Sequence, residues 1–303
     1  MFKIISDGGC DFAKYEAKRH HVDIVPFYIS FDQQNYLKEG ADISKEDFFK
    51  RLAEEKGLFP KTAQPNPQDY IDAFIPHLKK GEDILVLTIS SKLSGSYNSA
   101  VLAAQMMKEE YPDRTIVLVD SLNVSIGQGL ILREIIKMRD AGLTLAEVAR
   151  IAEKICATTR VYVTLDTLEY LKRGGRVGPT TAFVGGILKL NPILQLSDGK
   201  VTQLDNVRGR KRAIRLIEEA MVDALKDEAE NINLSIGHIS NEKDAATFKT
   251  SSEEALGMKI SNPITAIGVT IGSHMGPGAL GFAYCKKYEA VLSEELELRR
   301  SAA

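Results

Sequence analysis

DILVLTIS at 83–90, SGSYNSAVLAAQMMKEEY at 94–111 and TIVLVD at 115–120 follow one another with short connections. The first and third are short, continuous apolar runs rich in β-branched residues, and the second carries helical spacing. A strand–helix–strand unit whose strands are apolar along their length implies a parallel sheet covered by helices on both faces. Working outward, FKIIS (2–6) and VDIVPFYISF (22–31) read as further strands. ISKEDFFKRLAEE (43–55) reads as a helix capped by Ser44, with Asp47 three residues on. NPQDYIDAFIPHLKKG (66–81) is a helix with Asn66 as cap, Pro67 at the first helical position and Gly81 at the stop. Helices over 124–141 and 144–157, separated by Gly142, complete this half.

The pattern changes near residue 158. RVYVTL (160–165) is a strand that leads into a short helix and the loop RGGRVG (173–178). NPILQLSDGKVTQLDNVR (191–208) is two runs around Asp198–Gly199, a tight-hairpin dipeptide. A helix over 209–226, a strand NLSIGHIS (233–240), another helix, a strand ITAIGVTIG (264–272) and a last strand GFAYCK (281–286) follow. The expected fold is α/β. A three-layer domain with a parallel sheet spans 1–157, and a second α/β domain with a mixed sheet spans 158–303.

Composition narrows the function classes. The 303 residues carry 39 Lys+Arg against 41 Asp+Glu, a balance that excludes broad nucleic-acid binding. Cys10, Cys156 and Cys285 are far apart and odd in number, which fits a reducing compartment and neither a disulfide framework nor a zinc site. The opening MFKIISDGGCDF lacks the apolar run of a signal peptide. No run approaches the ~20 apolar residues of a membrane span. A cytoplasmic protein without stable membrane insertion is expected.

Three loops carry candidate chemistry. SSKLSGSYNSA (90–100) sets Ser94 and Gly95 between a buried strand and a helix, where strand carboxyl ends and helix N–H groups receive anions. A plain N-cap role explains Ser94 equally well. KTAQPNP (61–67) presents Thr62 in a Pro-rich approach to a helix. GVTIGSHMGPGALG (268–281) places His274 after an apolar strand, suited to donate to an anion or act as a general base. Gly276, Gly278 and Gly281 match G-x-G-x-x-G, but FAYC continues as a strand, so a dinucleotide site is rejected. Arg173 and Arg176 flank two glycines in an oxyanion-type turn, and VRGRKRAIR (207–215) is a local basic stretch within a neutral chain. G-x-S-x-G, Walker-type, H-E-x-x-H and paired Cys/His patterns are missing, so no metal or cofactor is expected. Binding loops without a catalytic set suit a carrier.

Five ordered segments, SDGGCDF (6–12), KTAQPNP (61–67), SSKLSGSYNSA (90–100), LEYLKRGGRVG (168–178) and SHMGPGALG (273–281), resemble the DegV family of bacterial fatty-acid-binding proteins. The resemblance implies two α/β domains enclosing one long-chain fatty acid such as palmitate, stearate or oleate. It implies that Thr62, Ser94 and His274, with the N–H groups near Gly95, meet the carboxylate. It further implies delivery to an ATP-dependent fatty acid kinase subunit that makes an acyl phosphate for phospholipid synthesis. Arg173, Arg208 and Arg210 are the candidate docking face for that partner. The chain departs from the family pattern at Gly8 and Gly9 after Asp7, and at Ala63 and Asn66 where serines are usual. An acyl chain of about 14 methylenes has on the order of 11 kcal/mol of burial available before ordering costs. Chain burial therefore sets affinity, and the polar end sets orientation. Apolar residues in TAFVGGILKL (181–190) are candidate tunnel walls.

The competing reading is an acyl ester hydrolase with Ser94 as nucleophile and His274 as base. It requires a carboxylate on His274, with Asp7 or Asp11 as the acids to consider. A pure interaction protein is the third class, and it expects an empty interdomain cleft.

Overall fold

The computed structural model describes residues 2–55, 57–176 and 190–301. The first sheet has four parallel strands in the order Val22–Val25, Lys3–Asp7, Ile84–Thr88, Ile116–Asp120. Its strands alternate in side-chain direction, so Ile84 and Val86 serve one face while Leu85 and Leu87 serve the other. The first pair packs with Tyr70 and Phe74 of the helix Pro67–Leu78 and with Ala100 and Ala103 of the helix Ser96–Glu110. The second pair packs with Leu130 and Ile131 of the helix Ile126–Asp140 and with Ile151 of the helix Leu145–Thr158. This is the three-layer parallel arrangement that residues 83–120 implied.

The second sheet is mixed and has six strands, in the order Lys200–Arg208, Leu190–Ser197, Arg160–Thr164, Leu280–Lys286, Ile232–His238, Thr265–Ala266. All neighbours are antiparallel except the last pair. Asp198 and Gly199 turn the first hairpin with φ of 49° and 72°, the two positive values a type I′ turn requires. The helices Arg210–Leu225 and Glu242–Leu256 cover one face through Ile217, Met221 and Phe248. Toward its other face, Val161, Leu196, Ala283 and Cys285 meet the helix Ile126–Asp140. That helix lies between the two sheets, and every residue from Ile126 to Leu132 is buried. Its first two turns, apolar apart from Gln128, suit such an enclosed position.

Two sequence expectations are corrected. The run 22–31 divides at Pro26–Phe27, where proline offers no N–H to continue a ladder. Val22–Val25 stays in the parallel sheet, while Tyr28–Ser30 joins a small antiparallel sheet with Leu37–Lys38 and Lys61–Ala63. The expected strand 264–272 is a strand only at Thr265–Ala266, and Val269–Met275 is a helix. Its initial N–H groups are taken by carboxylates distant in the chain, Asp11 and Glu39, which no local pattern reveals. A C-terminal helix, Tyr288–Ser301, follows the last strand. Among the described residues, no helix is long and apolar enough to cross a membrane. No cluster of His, Cys, Asp or Glu there could hold a metal.

Candidate functional site

A cavity of about 350 Å³ lies between the carboxyl ends of the first sheet and the facing surface of the second. Phe27, Ile89 and Val124 follow strands of the parallel sheet, the position where open α/β sheets receive ligands. Val163, Leu194 and Val201 come from three adjacent strands of the mixed sheet. Its walls are mainly aliphatic, and its size falls in the range of roughly 300–1,000 Å³ typical of small-molecule sites. The candidate walls at 181–189 lie outside the described residues.

The polar residues that line the cavity include Thr62, Gln64, Ser94, Arg176 and His274. Thr62 stands on the strand Lys61–Ala63, paired with Ile29, and its Oγ1 is 2.8 Å from His274 Nε2. His274 occupies the last turn of the helix Val269–Met275 rather than a strand exit. Its Nδ1 is buried and has no hydrogen-bond partner among the described residues. The backbone of Gly174 presses against that nitrogen so closely that a Cβ there would overlap it. Burial, together with the charges of Arg176 and Lys61, pushes the His274 imidazole down to about 4, so it is neutral near pH 7. The same two cations make the pocket end electropositive.

Ser94 is held by its own N–H on Ser90 O at 3.1 Å, and its Oγ accepts from Ser96 N at 3.2 Å. Its hydroxyl proton is thereby left to donate toward the cavity. Gly95 caps the helix Ser96–Glu110, but its N–H donates to Gln64 Oε1 at 2.9 Å. The expectation of a free Gly95 N–H for a ligand is corrected accordingly. A Cβ on Gly95 would lie 2.5 Å from both amide atoms of Gln64, so a larger residue there would displace that side chain. Gln64 was not singled out in the sequence, because its partner is thirty-one positions away. Arg176, flagged in the oxyanion-type turn, donates from Nε to Leu93 O at 3.2 Å and from Nη1 to Gly174 O at 2.6 Å. These bonds set its guanidinium beside the Ser94 loop.

The remaining candidates lie apart from the cavity lining. Arg173 pairs with Glu169 at 2.8 Å and rests over the Phe59 ring at 4.0 Å. Arg208 is exposed. Arg210 is committed to the fold by Asp166 at 2.6 Å and Asp244 at 2.8 Å, contrary to a free docking charge. The hydrolase geometry is not assembled: His274 bonds Thr62, and no carboxylate among the described residues accepts from its Nδ1. Asp7 is engaged by Ser96, Gln128 and Ile89, and Asp11 by Ser125 and Gly268.

A family model described as an uncharacterised protein, DegV family, matches residues 1–287. A DegV domain-containing protein of Caldanaerobacter subterraneus subsp. tengcongensis is 33% identical over 287 residues, covering 94% of this chain and 98% of that protein. The crystal structure of a stearic-acid-binding protein from Eubacterium ventriosum superposes with a TM-score of 0.91 at 30% identity, over 95% of this chain and 99% of that one. A DegV family protein from Thermus thermophilus, described for its fatty acid binding, gives a TM-score of 0.83 at 30% identity, over 94% and 99% of the two chains. With the family model spanning nearly the whole chain and the fold shared throughout, this protein belongs to the DegV family.

Proposed function

We propose that this protein binds one long-chain fatty acid, such as palmitate, stearate or oleate, in the cavity between its two sheets. The observation that carries the reading is one aliphatic cavity whose lining includes Thr62, Ser94, Arg176 and His274. A carboxylate removed from water must be met by hydrogen bonds or charge. The hydroxyl protons of Thr62 and Ser94 supply the first, with the neutral ring of His274 donating from Nε2 to Thr62 Oγ1 so that the threonine proton is free for the ligand, and Arg176 with Lys61 supply the second. Each buried methylene contributes about 0.8 kcal/mol, so the chain sets the strength of binding and the polar end sets its direction. In this reading residues 1–157 and 158–303 act as two domains closed over the chain. The similar proteins from Eubacterium ventriosum and Thermus thermophilus, which bind stearic acid and fatty acid respectively, support it.

The finer reading is a cytoplasmic carrier with no chemistry of its own, the binding subunit of a fatty acid kinase. It presents the carboxyl end for phosphorylation to an acyl phosphate by a separate ATP-dependent subunit. Arg173 and Arg208 are the exposed members of the docking set for that partner, while Arg210 is held by Asp166 and Asp244. The test is organic extraction of the purified protein with mass spectrometry, followed by titration with palmitate and oleate. Copurified or tightly bound fatty acid is expected. An empty protein that also ignores added fatty acid would overturn the reading.

A further inference from the structure

The stretch DGGCD (7–11) lies beside the cavity, yet neither carboxylate lines it. Gly8–Cys10 forms a single 3-10 turn, with Asp7 accepting from Gly9 N at its start and Asp11 in the left-handed region, φ 55°, at its end. The two side chains therefore leave opposite ends of one short turn. Burial raises the pKa of both, that of Asp11 to about 7. Two desolvated carboxylates are costly to keep, and the carboxylate-binding cavity does not use them directly.

Each one leads to a different half of the polar end. Asp7 Oδ2 accepts from Ser96 Oγ at 2.7 Å and from Ile89 N at 3.0 Å. Ser96 N in turn donates to Ser94 Oγ. Asp11 Oδ2 accepts from Ser125 Oγ at 2.5 Å, and its Oδ1 from Gly268 N at 2.8 Å. Beside it, Glu39 takes Val269 N at 2.7 Å and the Thr270 hydroxyl at 2.5 Å. These are the leading groups of the short helix that carries His274. A helix is rigid over so few residues, so a displacement at Gly268 moves the ring against Thr62.

We propose that Asp7 and Asp11 are positioning residues that hold Ser94 on one side, and the Thr62–His274 pair on the other, at a fixed spacing for one carboxylate. The proposal rests on the fatty-acid reading above. It gives both carboxylates of the DGGCD segment a role. Gly268 fits the same picture, since a Cβ there would stand 2.6 Å from Asp11 Oδ1 and 2.9 Å from Glu39 Oε1.

The test compares two ligands of equal chain length, palmitic acid and cetyl alcohol, on the full chain. A residue that only stabilises the fold weakens both equally, whereas a positioning residue weakens the acid selectively. Asp11→Ala and Ser96→Ala are expected to lower the acid-to-alcohol affinity ratio at least about tenfold, and Asp11→Asn, which keeps an acceptor for Gly268 N, to restore most of it. If Asp11→Ala does not fold, Gly268→Ala crowds the same carboxylate and is read the same way. An unchanged ratio, or equal weakening of acid and alcohol, overturns the proposal. A wild type that binds acid no better than alcohol overturns the anion-site reading itself, and this inference with it.

Discussion

Thr62 Oγ1 and His274 Nε2 lie 2.8 Å apart although 212 positions separate them in the chain. The contact joins the small antiparallel sheet to a helix beside the mixed sheet, so it depends on the whole molecule closing correctly. Thr62→Val removes the hydroxyl while keeping the shape, leaving one buried ring nitrogen unpaired and the ligand one donor short. Loss of about 1–3 kcal/mol of fatty-acid affinity is expected, roughly 5- to 150-fold in Kd. Calorimetric titration with palmitate checks this; unchanged affinity would remove Thr62 from the site.

His274 provides a second readout. Its imidazole is held down to about 4 by burial first and then by Arg176 and Lys61. An unfolded chain binds a proton at this residue near its ordinary 6.5, so the native state loses stability as pH falls from about 6.5 toward 4. A carboxylate beside the ring favours the imidazolium and lifts its pKa. The ring resonances of His274, followed by NMR, should titrate near pH 4 in the empty protein and at least about one pH unit higher with palmitate bound. Ligand should then protect the fold more at pH 5 than at pH 8. A titration that palmitate leaves in place would contradict the assignment.

Much of the fold was open to reading in the primary structure because it is local. Ile84–Thr88 is buried throughout and apolar up to Leu87, and Asn66 with Asp69 forms the capping box that starts the helix Pro67–Leu78. The hairpin at Asp198–Gly199 follows from two residues. The candidate site was legible mainly through ordered motifs, since Thr62 alone reads as an ordinary loop threonine. What escaped was set by distant partners. The helix bearing His274 begins where it does because Asp11 and Glu39, 257 and 230 positions away, take its leading N–H groups. Gln64 consumes the Gly95 N–H through a contact with no signature in spacing.

The glycine pair in RGGRVG offers a test of close approach. Gly174 is the last residue of the helix Glu169–Gly174 and has an ordinary helical φ, so alanine suits its backbone. The obstacle is His274 Nδ1, which a new Cβ would overlap. Gly174→Ala should therefore displace the ring from Thr62 and weaken fatty-acid binding about tenfold or more, with Tm moving by only a few degrees. A variant that binds as tightly as wild type would show that the ring position does not matter to the ligand.

Asp11 carries a pH signature in stability that is separate from ligand binding. Burial raises its pKa from 3.8 to about 7; the nearby Glu39 charge adds to the rise, and Ser125, Gly268 and Lys45 oppose it. Because the native state holds this proton more tightly than the unfolded chain, the stabilising effect is complete below about 4. It is lost as pH rises toward 7, and above that the ionised carboxylate costs the fold on the order of 2–4 kcal/mol. Asparagine at this position never ionises and keeps an oxygen for the Gly268 N–H. The Tm of Asp11→Asn relative to wild type should accordingly be near zero or slightly negative at pH 4, and positive by several degrees at pH 8. Thermal unfolding of both proteins across that range checks it. A difference that stays constant with pH would mean that Asp11 is ionised at low pH in the native state, held there by its hydrogen bonds.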